Sequence, residues 1–209
     1  MNLLQNLKPV LCILALASLT ACGGGSSGGV DSSSNGSGSG SSTVNGDSDT
    51  GTLRLALTDA PACGFDTVFV TIQKVRVHKS SDANDIDGGW SEIVLNPAKK
   101  VDLLSLTNGK LEDLGQTVLP AGKYTQLRLV LAENNGAPFA NSAKPTGESE
   151  VALQTPSGQQ SGLKTNIDIT VAANKTSDFV IDFDACKSIV AAGGSGKYLL
   201  KPVLSMTPR

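Results

Sequence analysis

Asp182 and Asp184 are the pair in this chain whose type and spacing best suit chemistry. On a strand they share one face, roughly 7 Å apart along the chain. Paired carboxylates at that distance can hold a cation or divide acid and base roles between them. Glycosidase carboxylate separations overlap this distance, but those pairs usually flank a cleft instead of neighbouring each other on one strand. No nucleophile-and-base pattern accompanies the pair. The favoured reading is therefore structural: a solvated face, or partners for Arg128, Lys164 or Lys201.

Other constellations are weaker. Asp82-Ala83-Asn84-Asp85-Ile86-Asp87-Gly88 invites a calcium loop. Aligning Gly88 with the EF-hand glycine leaves Ala83 and Val94 at two essential ligand positions, so a polar hairpin loop is the better account. Ala191 to Tyr198 brushes against a phosphate loop and fails at both ends. Trp90 could stack on a sugar, but opening a strand and packing over the core is the commoner fate. His78 is the single histidine, expected at the surface beside Lys79. One imidazole excludes zinc sites built on several and makes a histidine-based triad a poor bet. These residues call for no catalytic residue, no metal and no cofactor, and the expectation is that the chain is not an enzyme. A carbohydrate-active or metal-dependent enzyme is the least favoured reading.

The four cysteines divide by position. Lys8 precedes an apolar run from Val10 to Ala17, which contains Cys12. That run is short of the roughly 20 residues a spanning helix needs, and it reads as a signal peptide. It leads into Leu19-Thr20-Ala21-Cys22, which resembles the bacterial lipobox. The resemblance implies cleavage after residue 21, acylation of Cys22 with a palmitate-type lipid, and a membrane anchor. Gly23 in place of Asp points to the outer membrane of a double-membrane bacterium, with the chain facing periplasm or surface. The alternative is an ordinary signal peptide that leaves Cys22 as a thiol. Cys63 and Cys186 remain as an even pair in an oxidising compartment, which predicts a disulfide. Closing so long a loop contributes on the order of 4 kcal/mol by chain entropy. Two buried thiols are the alternative.

Residues 23–51 hold ten Gly and ten Ser with no large hydrophobe, so residues 22–51 read as a lipidated Cys and flexible tether. Its root-mean-square span is roughly 30 Å. Residues 52–209 are the folded domain, with 16 acidic and 16 basic side chains. Neither this balance nor the whole chain's net charge of −2 suits nucleic acid. Period-two alternation dominates. Leu53, Leu55 and Leu57 share one face, as do Val68, Val70 and Ile72. The parity then flips to Val75 and Val77, as a bulge near Lys74 would produce. Leu127, Leu129 and Leu131 repeat the pattern, then Ile167, Ile169 and Val171, then Phe179, Ile181 and Phe183. Tyr198 to Met206 reads as the last strand, with Pro202 at an edge or bulge. Helical turns are confined to Lys110–Leu114 and Ala185–Ala191. Many short strands between turn signals predict an all-β fold, an antiparallel β-sandwich.

An ordered set of short motifs runs through this domain. Leu57-Thr58-Asp59-Ala60-Pro61 comes first, then Val101-Asp102-Leu103-Leu104-Ser105-Leu106 and Leu119-Pro120-Ala121-Gly122-Lys123-Tyr124. Leu127-Arg128-Leu129, Gly162-Leu163-Lys164, Asp182-Phe183-Asp184 and Tyr198-Leu199-Leu200-Lys201-Pro202 follow. This order resembles the domain of unknown function 4382 family, a group of secreted or lipid-anchored bacterial and archaeal domains. The segment from Leu119 is also similar to strands of transthyretin-like sandwiches, and the sandwich is expected to be immunoglobulin- or transthyretin-like. The family resemblance implies fold and location but no established activity. It adds Asp59 and Asp102 to the polar set, giving Asp59, Asp102, Arg128, Lys164, Asp182 and Asp184 as a binding or structural cluster. The expected function is a lipid-anchored extracytoplasmic binding or adhesion module without catalysis. Its expected partners are the membrane, through the lipid, and a glycan or protein at the cell surface. The second reading is an assembly subunit that pairs by a sheet edge, first sought at the Pro202 strand.

Overall fold

The structure is a computed structural model, in which residues 49–59, 64–156 and 161–209 are described. The signal segment, Cys22, the tether before Asp49, and Cys63 lie outside the described residues.

The alternating segments form strands: β1 (Thr50–Thr58), β2 (Phe65–His78), β3 (Ser91–Asp102), β4 (Glu112–Pro120), β5 (Gly122–Leu131), β6 (Ser142–Pro145), β7 (Val151–Gln154), β8 (Leu163–Val171), β9 (Thr176–Phe183), β10 (Ile189–Ala191), β11 (Tyr198–Leu200) and β12 (Leu204–Pro208). One helical turn, α1 (Ala185–Ser188), follows β9. The strands make two sheets. The first has the order β12-β9-β1-β4. The second runs β10-β11-β7-β6-β2-β5-β8, with β3 also paired to β2.

Period two places every second side chain on one face, and the apolar faces of both sheets meet. Leu53, Leu55 and Leu57 of β1 and Phe179, Ile181 and Phe183 of β9 share a core with Val68, Val70 and Ile72 of β2 and Leu127, Leu129 and Leu131 of β5. Each such side chain contributes about 1.5–3 kcal/mol when fully buried. The expected all-β sandwich is what forms.

Details of pairing depart from expectation. The sheets are mixed, because β1 runs parallel to β9 and β7 parallel to β11. Alternation assigns faces but says nothing of direction. The bulge near Lys74 is present: pairing with both β3 and β5 slips between Ile72 and Lys74. The expected last strand from Tyr198 to Met206 is two strands in different sheets. The chain crosses from β11 to β12 through Lys201-Pro202-Val203, where Pro202 has no N–H to continue a ladder. The apolar run at Val101–Leu106 ends in a 3-10 turn, Leu103–Leu106, which buries Leu103 and Leu106. Lys110–Leu114 is no helical turn; it leads into β4.

Candidate functional site

Asp59, Asp182 and Asp184 meet at the carboxyl ends of two adjacent parallel strands. Thr58 pairs with Asp182 in register, so Asp59 and Asp184 both emerge from the same end of the sheet. Asp59 is buried, and its Oδ1 accepts the Ala185 N–H at 2.9 Å. Asp184 caps α1, accepting the Lys187 N–H at 3.0 Å on Oδ1 and the Lys187 ammonium at 2.6 Å on Oδ2. Those contacts hold the Asp184 carboxyl below the usual carboxylate range. Asp182 is pushed the other way by burial and then by repulsion from Asp184, with Lys187 opposing.

A split pair of carboxylates is the pattern of an acid and a base. Here the low member is spent: both Asp184 oxygens are engaged by Lys187. The arrangement closes the end of the sheet over α1, with Asp184 held by Lys187 and Asp182 Oδ1 buried without a hydrogen-bond partner.

Arg128 and Lys164 lie elsewhere. Phe179, Ile181 and Phe183 point into the core, so Asp182 faces outward from the first sheet. Leu127 and Leu129 point into the same core from the other side, so Arg128 faces outward from the second. The two outer faces are opposite surfaces of the sandwich, and the alternation that defines them keeps Arg128 and Lys164 from pairing with Asp182 or Asp184. Asp102 is in a third place, where its Oδ1 accepts the Val68 N–H at 3.2 Å.

The segment from Lys79 to Trp90 folds back over the outer face of the second sheet. Ala83 is buried beneath it, and its carbonyl accepts from Gln126 Nε2 at 3.1 Å and from an Arg128 guanidinium N–H at 2.9 Å. Arg76 donates to the Asp85 carbonyl at 3.0 Å. His78, half-buried where an exposed position was expected, accepts the Ser80 N–H at 2.9 Å and reaches the Gly88 carbonyl at 3.0 Å. Trp90 donates to the Asn84 carbonyl, and the guanidinium groups of Arg76 and Arg128 lie 4.5 and 5.2 Å from its ring centroid. Trp90 is thus a packing residue, and the calcium-like segment is the polar hairpin loop. Arg76, Gln126 and Trp90 were not joined to the polar set by sequence reasoning. Strand register brings them together, and register is not written in local spacing.

A third feature is a groove of about 600 Å³ between β3 and β4. Val94, Leu95, Pro97 and Lys99 line one wall, and Asp113 and Gly115 the other. Among the described residues, β3 pairs only with β2 and β4 only with β1. Lys99 bridges the gap, with an ion pair to Glu112 and a hydrogen bond to the Asp113 carbonyl. Gly115 has φ +97° and would set a Cβ 3.3 Å from Ile93, so the bulge of β4 at the seam requires glycine.

Cys186 follows Ala185 in α1 and is not a free thiol. Among the described residues no group of three or more His, Cys, Asp or Glu is placed to hold a metal ion, and no helix is long and apolar enough to cross a membrane.

No curated protein and no solved structure matches the chain. The family model described as a domain of unknown function, DUF4382, matches residues 50–202. That span runs from the first residue of β1 to the proline at which the chain changes sheets, and the chain belongs to the DUF4382 family.

Proposed function

We propose that this chain is a lipid-anchored extracytoplasmic binding module without catalytic activity, displayed from an outer membrane by Cys22. What supports the reading is the polarity of β1. The tether joins the domain at Thr50, and β1 carries the chain roughly 27 Å to the opposite end, at Asp59 and α1. A domain attached at one end presents the other to whatever lies beyond the membrane. The ligand is a glycan or a protein of the cell surface. The proposed Cys63–Cys186 disulfide locks the outer end, tying the loop after β1 to α1.

The test has two arms. Metabolic palmitate labelling of the full chain is expected to mark Cys22, and Cys22→Ser to abolish the label and release the chain from membranes. Pull-down and glycan-array screening, with size-exclusion analysis, is expected to find a ligand for the domain. Monomers at every concentration that bind nothing would overturn the binding reading.

A second reading is an assembly subunit that pairs by sheet edges. The groove between β3 and β4 favours it, because both strands turn toward the same opening an edge that has no strand partner among the described residues. Concentration-dependent polymers in light scattering would select this reading over the first.

A further inference from the structure

The outer face of β2, β5 and β8 carries two rows of polar side chains set by register. Arg76 pairs with Arg128, and Arg128 with Lys164. Two residues along, His78 pairs with Gln126, and Gln126 with Asn166. Strand geometry makes this a platform of roughly 10 by 7 Å, with a cationic row beside a row of imidazole and amides.

Three cations directly opposite one another repel. Glu92 pairs with Arg76, at 2.8 Å, and also with Lys74. No ion pair among the described residues holds Arg128 or Lys164. Arg128 is nevertheless only 7% exposed. Its guanidinium donates to the Ala83 and Ser161 carbonyls, each at 2.9 Å, and lies over the Trp90 ring, so its charge is hydrogen-bonded but has no carboxylate beside it.

The Lys79–Trp90 hairpin covers this face, and it carries Asp82, Asp85 and Asp87. Its fit is incomplete. Gln126 Oε1 and Arg128 Nε, on side chains 0% and 7% exposed, are buried under it without a hydrogen-bond partner. One is an acceptor and the other a donor, so a ligand carrying both hydroxyl and carboxylate groups would satisfy what the hairpin leaves unpaired.

We propose that this face is a binding site for a carboxylated saccharide, and that the acidic hairpin occupies it until the saccharide displaces it. The cationic row takes the carboxylates, with Lys164 as the exposed point of first contact. The imidazole and amide row takes the hydroxyls. The proposal rests on the extracytoplasmic binding reading and names its ligand class, but it uses a side face and not the far end at Asp59. Lys79 Nζ donates to the Ala121 carbonyl at 3.0 Å and the Ala121 N–H to the Asp49 carbonyl at 2.6 Å, so the base of the hairpin lies at the tether end. Because the hairpin must lift first, apparent affinity is reduced by the fraction of molecules in the open form.

The experiment is calorimetric titration of the full chain in detergent with oligogalacturonate, against neutral malto-oligosaccharide and polyphosphate. Hydrogen exchange of residues 79–90 is followed alongside. Oligogalacturonate is expected to bind, less tightly at high salt, and to deprotect the hairpin amides. The exposed-site variant Lys164→Glu should weaken binding about tenfold. The triple variant Asp82→Asn, Asp85→Asn, Asp87→Asn should tighten it by up to about tenfold, the sum of three surface charges. Four results would each overturn the proposal. They are no binding by the folded triple variant, equal affinity for the neutral sugar or for polyphosphate, an unchanged Lys164→Glu, and binding that leaves the hairpin protected. If oligogalacturonate fails while the envelope screen finds another ligand, this site falls and the binding reading stands. If both fail, the binding reading falls as well.

Discussion

Asp59 and Ala185 are 126 positions apart in the chain, and the carboxylate of the first accepts the backbone N–H of the second at 2.9 Å. The bond joins the end of β1 to the start of α1, across the parallel pair that the Asp182-Phe183-Asp184 segment completes. Asp59 thereby supplies an acceptor to a backbone donor that the first turn of a helix leaves unpaired, which is a structural role for a motif aspartate.

Removing that acceptor has a calculable effect. Asp59→Ala should cost about 1–3 kcal/mol, the penalty for a buried donor left without its charged partner. Asp59→Asn keeps an oxygen in place and should cost less. Urea denaturation of both variants measures the difference, and an Asp59→Ala chain as stable as the parent would remove the structural role.

Asp182 and Asp184 should respond to pH in opposite senses. Burial, then the charge of Asp184, raises the folded-state pKa of Asp182. Its contribution is fully present below the unfolded-state pKa and is lost as pH rises through the folded value. The Lys187 hydrogen bonds lower that of Asp184, whose contribution is present above the unfolded-state pKa and is lost as pH falls through the folded one. Asp182→Asn should therefore stabilise the chain slightly at neutral pH, with the gain gone below about pH 4. Asp184→Asn should destabilise at neutral pH, and that loss should shrink on acidification. Thermal melts across pH separate the two, and parallel profiles would contradict the assignment.

Tyr124 is buried, and its hydroxyl donates to the Pro120 carbonyl at 2.7 Å, closing the turn between β4 and β5. Tyr124→Phe should cost about 1 kcal/mol, since ring packing is kept and one hydrogen bond is lost. Equilibrium unfolding reads the change directly. Tyr124→Leu should cost more, through the volume it leaves empty.

The cysteines give a chemical check. Denatured, non-reduced mature chain should show no titratable thiol from Cys63 or Cys186, and reduction should lower stability by on the order of 4 kcal/mol. Two thiols appearing without reductant would overturn the disulfide and select the alternative of two buried thiols.

Much of the domain is legible from residue order. Leu53, Leu55, Leu57, Leu127, Leu129 and Leu131 fall on the core face as alternation requires. The parity flip after Ile72 locates a real bulge. What was not legible depends on which strands lie side by side. Asp182 and Arg128 look like partners when read as charges, yet they occupy opposite surfaces of the sandwich. Tyr198 to Met206 looks like one strand because its residues all suit a strand, but Pro202 sends its two halves to different sheets. Arg76, and the cationic partners of Trp90, were not legible because nothing near them in sequence predicts an in-register Arg128.

Side-chain order alone thus carries the strand faces, the all-β class and the turn positions, because each depends on contacts or conformations within a few residues. It also carries the family, through motifs whose order can be read without folding. Strand direction, the partner of Asp59, the cationic row under the Lys79–Trp90 hairpin and the open seam between β3 and β4 were decided only by the tertiary structure. Each depends on pairings between segments distant along the chain. Alternation leaves several such pairings equally good until the whole core packs.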